Sequence, residues 1–376
     1  MSLRSAVTTC SLFLYLNITL TKKGLTMDFQ YYLLEQLKMH PSMLPQDIIK
    51  LCYQAAFGAE HLLTDTNRAL KYLEYEYANV SPSCGKLYEM ISDEVCRINL
   101  SVWKYKKLPL SWLFKMFADS AHISSDGAVQ LESYMNSAEA LLQNAKTSFS
   151  FDDWKSFRTH YEELGMPAIH HSESYRNTQK PSYRIVNSRF LRLIPILQYI
   201  NNHETDESRP FIIAIDGRAA SGKSTMASQL RTILDAPIIH MDDFFLPLSL
   251  RTPKRFAAFG GNVHYERFKE EVLPFISLCA PFSYNIFDCT KMELNGTRQI
   301  ASSQFRIVEG SYSHHPSFGS YADLKVFSDI DAATQLSRII LRNSPAMTER
   351  FKNEWIPLEE AYFSHCQTAQ KADILV

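Results

Sequence analysis

Apolar positions change their spacing once along this chain, and that change divides it. From Asp28 to about Leu142 they recur at helical intervals. Phe29, Tyr32, Leu33 and Leu37 predict one helix, and the run Ile48-Ile49-Lys50-Leu51-Cys52-Tyr53 predicts a second, with Pro45 in its first turn. Further helices are predicted near 67–78, 109–118, 127–144 and 151–163. Residues 172–184 are polar, contain Pro181 and read as a loop; a helix near 186–202 follows. The polar run Asn201–Pro210 is the expected domain boundary. After Pro210 the pattern becomes short, continuously apolar runs: 211–215, 237–239, 305–308, 324–327 and 373–376. Such runs suit strands buried on both faces of a parallel sheet. Helical stretches separate most of them. The predicted fold is therefore a doubly wound α/β domain over 209–376, preceded by a mainly α-helical domain over 27–205, with ligands expected at the carboxyl ends of the strands.

Composition agrees with this division and excludes several classes. The chain has 376 residues, 45% hydrophobic and 21% charged, with a formal net charge of -1. That is enough for about two or three packed domains. No basic surplus points to nucleic acid or to an acidic membrane surface. The seven cysteines are odd in number and form no CxxC pair, which argues against a disulfide framework and a cysteine zinc site. Reduced thiols in a cytoplasmic protein are the expectation. Residues 1–26 hold an apolar run, Ser11–Leu16, broken by Asn17, Thr19 and Thr21 and followed by no clean cleavage site. It is shorter than the roughly 20 residues of a membrane span. An over-extended start or a disordered extension is the favoured reading, ahead of a buried segment or a targeting signal.

The candidate chemistry lies in the second half. Gly217-Arg218-Ala219-Ala220-Ser221-Gly222-Lys223-Ser224 matches G-x-x-x-x-G-K-[ST] at every fixed position, between a predicted strand and a helix that opens with Thr225. The glycines let backbone N–H groups turn inward as a nest for phosphate oxygens. Lys223 is suited to bridge phosphates as a point charge, and the Ser224 hydroxyl to hold Mg²⁺, which takes few protein ligands. Asp242 and Asp243 follow the run at 237–239, where a ligand is expected. Asp242 is the candidate to orient or deprotonate an attacking hydroxyl, and to stand near the metal. Glu309, which ends the run at 305–308, is a candidate on the metal side. Asp331 is a fair N-cap for a helix to Arg342. Arg338 and Arg342 share one face of that helix, with Arg350 beyond, as in a basic lid that closes over a triphosphate.

These elements together resemble the uridine kinase and nicotinamide riboside kinase group of P-loop kinases, with phosphoribulokinase and pantothenate kinase as wider relatives. The carrying residues are Gly217 to Thr225, Met241-Asp242-Asp243-Phe244-Phe245, Glu309-Gly310 and the arginine lid with Asn353-Glu354-Trp355-Ile356-Pro357-Leu358-Glu359-Glu360. The resemblance covers about 209–376 and implies ATP and Mg²⁺ as cofactors. It implies Asp242 as base or hydroxyl anchor, Glu309 as metal-side carboxylate, and Arg338 and Arg342 as lid residues. The acceptor wall departs from the pattern: Gly261–Arg267 replaces an Asn/Asp/His/Pro-rich stretch. His264, Tyr265, Arg267, Asp243 and Tyr284 stand as acceptor-pocket candidates, and uridine itself is not indicated.

The first half resembles no family of known activity. His61, His170 and His171 with Glu60 are imidazole and carboxylate groups of the kind that hold zinc or iron, but no fixed ligand spacing is present. The expected function is transfer of the γ-phosphoryl group of ATP to a hydroxyl of a nucleoside-like small molecule. The alternatives are a pantothenate or sugar acceptor, an ATP-dependent regulatory module, and a second, metal-dependent activity in the first half. No nucleic-acid or membrane partner is expected, and a homo-oligomer is left open.

Overall fold

The computed structural model describes residues 29–59, 63, 65–121, 126–203 and 208–376. The chain divides between Phe190 and Leu191 into two compact units. The expected boundary within 201–210 lies later, partly outside the described residues. The helix expected near 186–202 is shorter than that stretch: its ordered α-helical part, Ile194–Asn202, belongs to the second unit.

The first unit holds α1 (Phe29–Met39), α2 (Pro45–Phe57), α3 (Thr66–Asn79), α4 (Leu100–Tyr105), α5 (Leu110–Asp119), α6 (Gly127–Leu142), α7 (Phe151–Glu163) and α8 (Glu173–Gln179). A small antiparallel sheet orders β1 (Tyr88–Met90), β2 (Val95–Asn99) and β3 (Tyr183–Asn187). The helix spacing was legible, and Pro45 does open α2. The sheet was not, because its strands are short and their pairing joins positions about ninety residues apart, such as Cys96 and Val186. The segment read as a loop at 172–184 contains α8 and the start of β3. Helix α2 is enclosed on all sides, packs on α6 and α7, and buries even Asp47, Lys50 and Gln54. Trp103 and Trp154 are fully buried in this unit.

In the second unit, α9 (Ile194–Asn202) precedes five parallel strands: β4 (Phe211–Gly217), β5 (Ile238–His240), β8 (Phe305–Glu309), β9 (Leu324–Ser328) and β10 (Ile374–Leu375). Their order is β10-β9-β4-β8-β5, so the strand that feeds the glycine-rich loop is central. All five apolar runs became strands; four are largely buried, and the last, β10, is a partly exposed edge strand. An antiparallel hairpin, β6 (Phe282–Asp288) and β7 (Glu293–Ile300), stands apart from that sheet and was not foreseen. Strand β6 mixes buried and exposed positions and β7 is mostly exposed, unlike a continuously apolar run. Helices α10 (Lys223–Leu234), α11 (Pro253–Phe256), α12 (Tyr265–Glu271), α13 (Leu273–Ile276), α14 (Ala332–Arg342), α15 (Pro345–Arg350) and α16 (Ile356–Cys366) complete the unit. Asp331 caps α14 by accepting from the Thr334 N–H at 2.9 Å, as expected. A core of Ile212, Ile239, Phe244, Phe268, Phe327 and Tyr362 ties the sheet to these helices. Among the described residues no helix is long and apolar enough to cross a membrane.

One buried pair makes stability depend on pH. His171 Nδ1 lies 3.1 Å from Asp47 Oδ1, and burial lowers the imidazole pKa to about 4 despite that carboxylate. In the unfolded chain a histidine titrates near 6.5. Between these values the unfolded state binds the extra proton, so stability is present above pH ~6.5 and is lost as pH falls toward 4. Urea unfolding of the first unit, followed by tryptophan fluorescence, should show a midpoint that drops from pH 7 to pH 5. His171→Gln should flatten that drop. An equal drop in the variant would remove His171 as its cause.

Candidate functional site

The candidate site forms where β4, β8 and β5 end side by side. Gly217 closes β4 with φ of 139°, and a Cβ there would lie 2.0 Å from the Ser328 carbonyl oxygen of β9. Only glycine lets the backbone turn so close to the neighbouring strand. Gly222, at φ of 96°, caps the start of α10. Lys223 is nearly buried and donates to the carbonyls of Gly217 at 2.7 Å and Arg218 at 2.9 Å. The loop is braced from outside by three elements. Gln335 and Arg338 of α14 donate to the Ala219 and Ala220 carbonyls, each at 3.1 Å. Arg218 pairs with Asp329 at 2.7 Å and with Glu360. Glu359 of α16 accepts from the Ala219 N–H at 2.9 Å and from the Ser311 hydroxyl at 2.6 Å, and burial raises its pKa. Thr225 is exposed on the first turn of α10.

Parallel register sets His240 of β5 beside Glu309 of β8, and Glu309 beside Ile215 of β4. The Ser224 hydroxyl donates to Glu309 Oε2 at 3.1 Å, and His240 Nδ1 approaches Oε1 at 2.6 Å. Facing a carboxylate, that nitrogen carries the proton. Glu309 is therefore oriented from both sides. Ser224 and Glu309 offer adjacent hard oxygens at the loop's mouth, a donor set that fits Mg²⁺.

Asp242 and Asp243 lie in the short turn after β5 and diverge. Asp242 faces the mouth. Crowding by the surrounding walls, then the Glu309 carboxylate, raise its pKa, while Lys223 and His240 pull the other way. Its side chain reaches solvent, so water screens part of the first effect. Asp243 points inward and accepts from the Tyr284 hydroxyl at 2.8 Å and from Arg298 Nε at 2.8 Å. Tyr284 and Arg298 are register partners on β6 and β7, so Asp243 anchors the hairpin to the turn. Arg267 donates to Glu271, to the Asp243 carbonyl and to the Asn285 carbonyl. His264 caps α12, and Tyr265 lies under the Arg255 guanidinium at 3.7 Å. The structure therefore brings Lys223, Ser224, Asp242 and Glu309 to one mouth. It places Asp243, Arg267 and Tyr284 behind that mouth, with their polar atoms engaged by the fold. Arg338 reaches the loop, Arg342 is exposed one turn further along α14, and Arg350 turns to Glu354 and Trp355.

Several residues of this region escaped the sequence reading. Asp216, fully buried, accepts from the N–H groups of Gly217, Tyr312 and His314 and from the Tyr362 hydroxyl. Its signal was a carboxylate directly after an apolar run. His240 gave no pattern beyond its place before Asp242. Arg192, which donates to Gln229 at 3.2 Å beside Gly222, and Arg298 gave none at all. In the first unit, His171 is held by Asp47 and Tyr183, while His170 is exposed. Glu60 and His61 lie outside the described residues. Among the described residues no group of three or more His, Cys, Asp or Glu side chains is placed to hold a metal ion.

A central parallel strand, a glycine-rich loop and a helix opening on Lys-Ser define a P-loop nucleotide-binding domain. Comparison with known proteins points within that class. The chain is 28% identical over 158 residues to uridine-cytidine kinase B of Dictyostelium discoideum, covering 39% of this chain and 64% of that relative. The match thus spans less than two thirds of the relative's length. Among solved structures it is similar to a possible uridine kinase from Bacillus stearothermophilus, at 17% identity and a TM-score of 0.39, over 49% of this chain and 96% of the other. It is similar also to a protein of a Silicibacter species described as a fructose transport system kinase, at 17% identity and a TM-score of 0.40, over 47% and 95%. No family model matches the chain.

The loop geometry yields a direct test. Gly217→Ala should lower stability by roughly 2–4 kcal/mol, because its Cβ meets backbone rather than a movable side chain. Urea unfolding of the second unit checks this; a loss below about 0.5 kcal/mol would contradict the close approach to Ser328.

Proposed function

We propose that residues 191–376 form a magnesium-dependent kinase that transfers the γ-phosphoryl group of ATP to a hydroxyl of a nucleoside-like small molecule. The observation that carries this reading is the cluster at the strand ends. Ser224 is bonded to Glu309, Glu309 to His240, and Asp242 opens onto the same mouth beside Lys223. A nucleotide switch needs the loop and the metal-side oxygens, but it has no use for an acceptor-facing carboxylate. The uridine-cytidine kinase relative supports the same class of acceptor.

In this reading the loop amides and Lys223 bind the phosphates, and Ser224 and Glu309 hold Mg²⁺. The metal, when bound, neutralises phosphate charge. His240 keeps Glu309 aimed. Asp242 orients the acceptor hydroxyl and takes its proton, a role favoured by a pKa above the usual carboxylate range. Arg338, already against the loop, supplies positive charge where charge develops on the transferred group, with Arg342 on the next turn. Phosphoryl transfer depends on positioning more than on covalent help from the protein, so rigid strand ends suit it.

An ADP-release assay with Mg-ATP, run against ribonucleosides, deoxyribonucleosides, nicotinamide riboside, pantothenate and simple sugars, tests the proposal. Acceptor-dependent ADP is expected with a nucleoside-like compound. Lys223→Ala should abolish it and weaken ATP binding. Asp242→Asn should keep ATP binding while turnover falls about 10²-fold or more. Undiminished turnover in the Asp242 variant would remove its assigned role. Tight ATP binding with no acceptor-dependent ADP would favour a regulatory module instead.

A further inference from the structure

The first unit encloses polar groups that its own fold leaves without partners. Along α2, Asp47, Lys50 and Gln54 form a polar stripe on a helix buried from every side. Asp47 is fully accounted for. It accepts from the Leu44 and Ser172 N–H groups at 3.0 and 2.8 Å, from the Ser172 hydroxyl at 2.8 Å, and from His171. Gln54 instead faces Arg97 of β2, which is only 5% exposed. The Gln54 carbonyl oxygen accepts from Arg97 Nη2, and its amide donates to the Tyr183 hydroxyl at 2.8 Å. The Arg97 guanidinium lies 4.4 Å over the Tyr183 ring and 5.9 Å from the Tyr32 ring.

This arrangement does not satisfy the arginine. Glu89 sits directly across the sheet, but its Oε2 is 3.7 Å from Arg97 Nη1, beyond hydrogen-bond range, and its Oε1 takes the Gln36 amide at 2.6 Å. Arg97 Nε is buried with no partner. So is the hydroxyl of Tyr32, 2% exposed, and so is His40 Nδ1. Two of these atoms, Arg97 Nε and the Tyr32 hydroxyl, are donors, and His40 feels the charges of both Arg97 and Glu89. A buried guanidinium with unused donors costs stability unless something with lone pairs completes it. Two cations face the two carboxylates Asp47 and Glu89 here. Arg97 and Lys50 both act to lower the His171 pKa, and Lys50 is itself brought to about 8, by burial and then by Arg97. His40, Glu89 and Tyr183, at the edge of this group, are only half-buried.

We infer that the first unit binds a compact oxyanion, the phosphate or carboxylate group of a small molecule, on Arg97 and the Tyr32 hydroxyl, with Lys50 adding charge. Arg97 Nε and the Tyr32 hydroxyl each donate to an oxygen of such a group, since Nη2, on the same edge as Nε, is already held by Gln54. The long contact to Glu89 is a weak internal counterion that a bound oxyanion replaces. This site is independent of the proposed kinase reaction and lies within a separate unit of the chain.

Titration calorimetry on the full-length Lys223→Ala chain tests it, since that substitution weakens the phosphate affinity of the loop, and a loop site would not respond to Tyr32→Phe. The probes are inorganic phosphate, glycerol 3-phosphate and malonate at millimolar concentration. Saturable binding of at least one is expected; binding of the first two alone identifies a phosphate source, and binding of malonate a carboxylate source. Added Tyr32→Phe should weaken the binding about tenfold, the scale of one hydrogen bond to a charged group. Added Arg97→Lys should weaken it at least as much, through loss of the Nε donor. Tyr32→Phe removes only the unpartnered hydroxyl, so it keeps the test sound if the Arg97 variant fails to fold. No saturable binding of any probe, or binding that Tyr32→Phe leaves unchanged, overturns the inference. Neither result bears on acceptor-dependent ADP release.

Discussion

One fully buried carboxylate holds the second unit's chemistry together. Asp216 collects two N–H groups from the turn after β8, the N–H of Gly217, and the hydroxyl of Tyr362 on α16. An unpaired charge at that depth would be prohibitive, so all four donors must be in place when the protein is folded. The first residue of the glycine-rich loop, the segment after Glu309 and the helix bearing Glu359 are thereby fixed to a single point. The start of the loop, the turn after Glu309 and α16 are tied together by that bond set.

Around this anchor the site gathers carboxylates that would repel one another in isolation. At one mouth the Glu309 carboxylate adds to the cost of ionising Asp242, and Glu359 is buried against the loop. Each is offset locally. Glu309 is held by Ser224 and His240, Glu359 by Ser311 and the Ala219 N–H, and Asp242 by proximity to Lys223. A site meant only for stability would not concentrate acids this way. The proposed reaction, which brings a cation and a hydroxyl proton to the mouth, accounts for that concentration.

The five apolar runs and the loop were legible because each is a local fact: a short run of apolar residues suits a strand of a parallel sheet, and a phosphate loop needs glycine and lysine at fixed offsets. The position of Asp242 and Glu309 at strand ends was legible because each follows or closes an apolar run, where a parallel sheet is expected to present its ligands. The hairpin β6–β7 and the sheet β1–β3 were not, since short strands with mixed faces take their identity from partners far along the chain. Tyr284, Asp243 and Arg267 show the same limit within the site. Their types suit an acceptor pocket, yet their polar atoms turn toward one another's elements and support the mouth from behind.

By itself, then, the sequence determined that a helical half precedes a P-loop α/β half, and which side chains could handle a triphosphate. Those features depend on neighbours a few residues away. Only the tertiary structure decided that two adjacent aspartates serve opposite sides of a turn, that Arg192 and Glu359 meet the same loop from distant segments, and that Gln54, Arg97 and Tyr32 share one buried place. Such choices are set by strand register and by where buried polar atoms find partners. Both are properties of the closed chain, and no local stretch of it carries them.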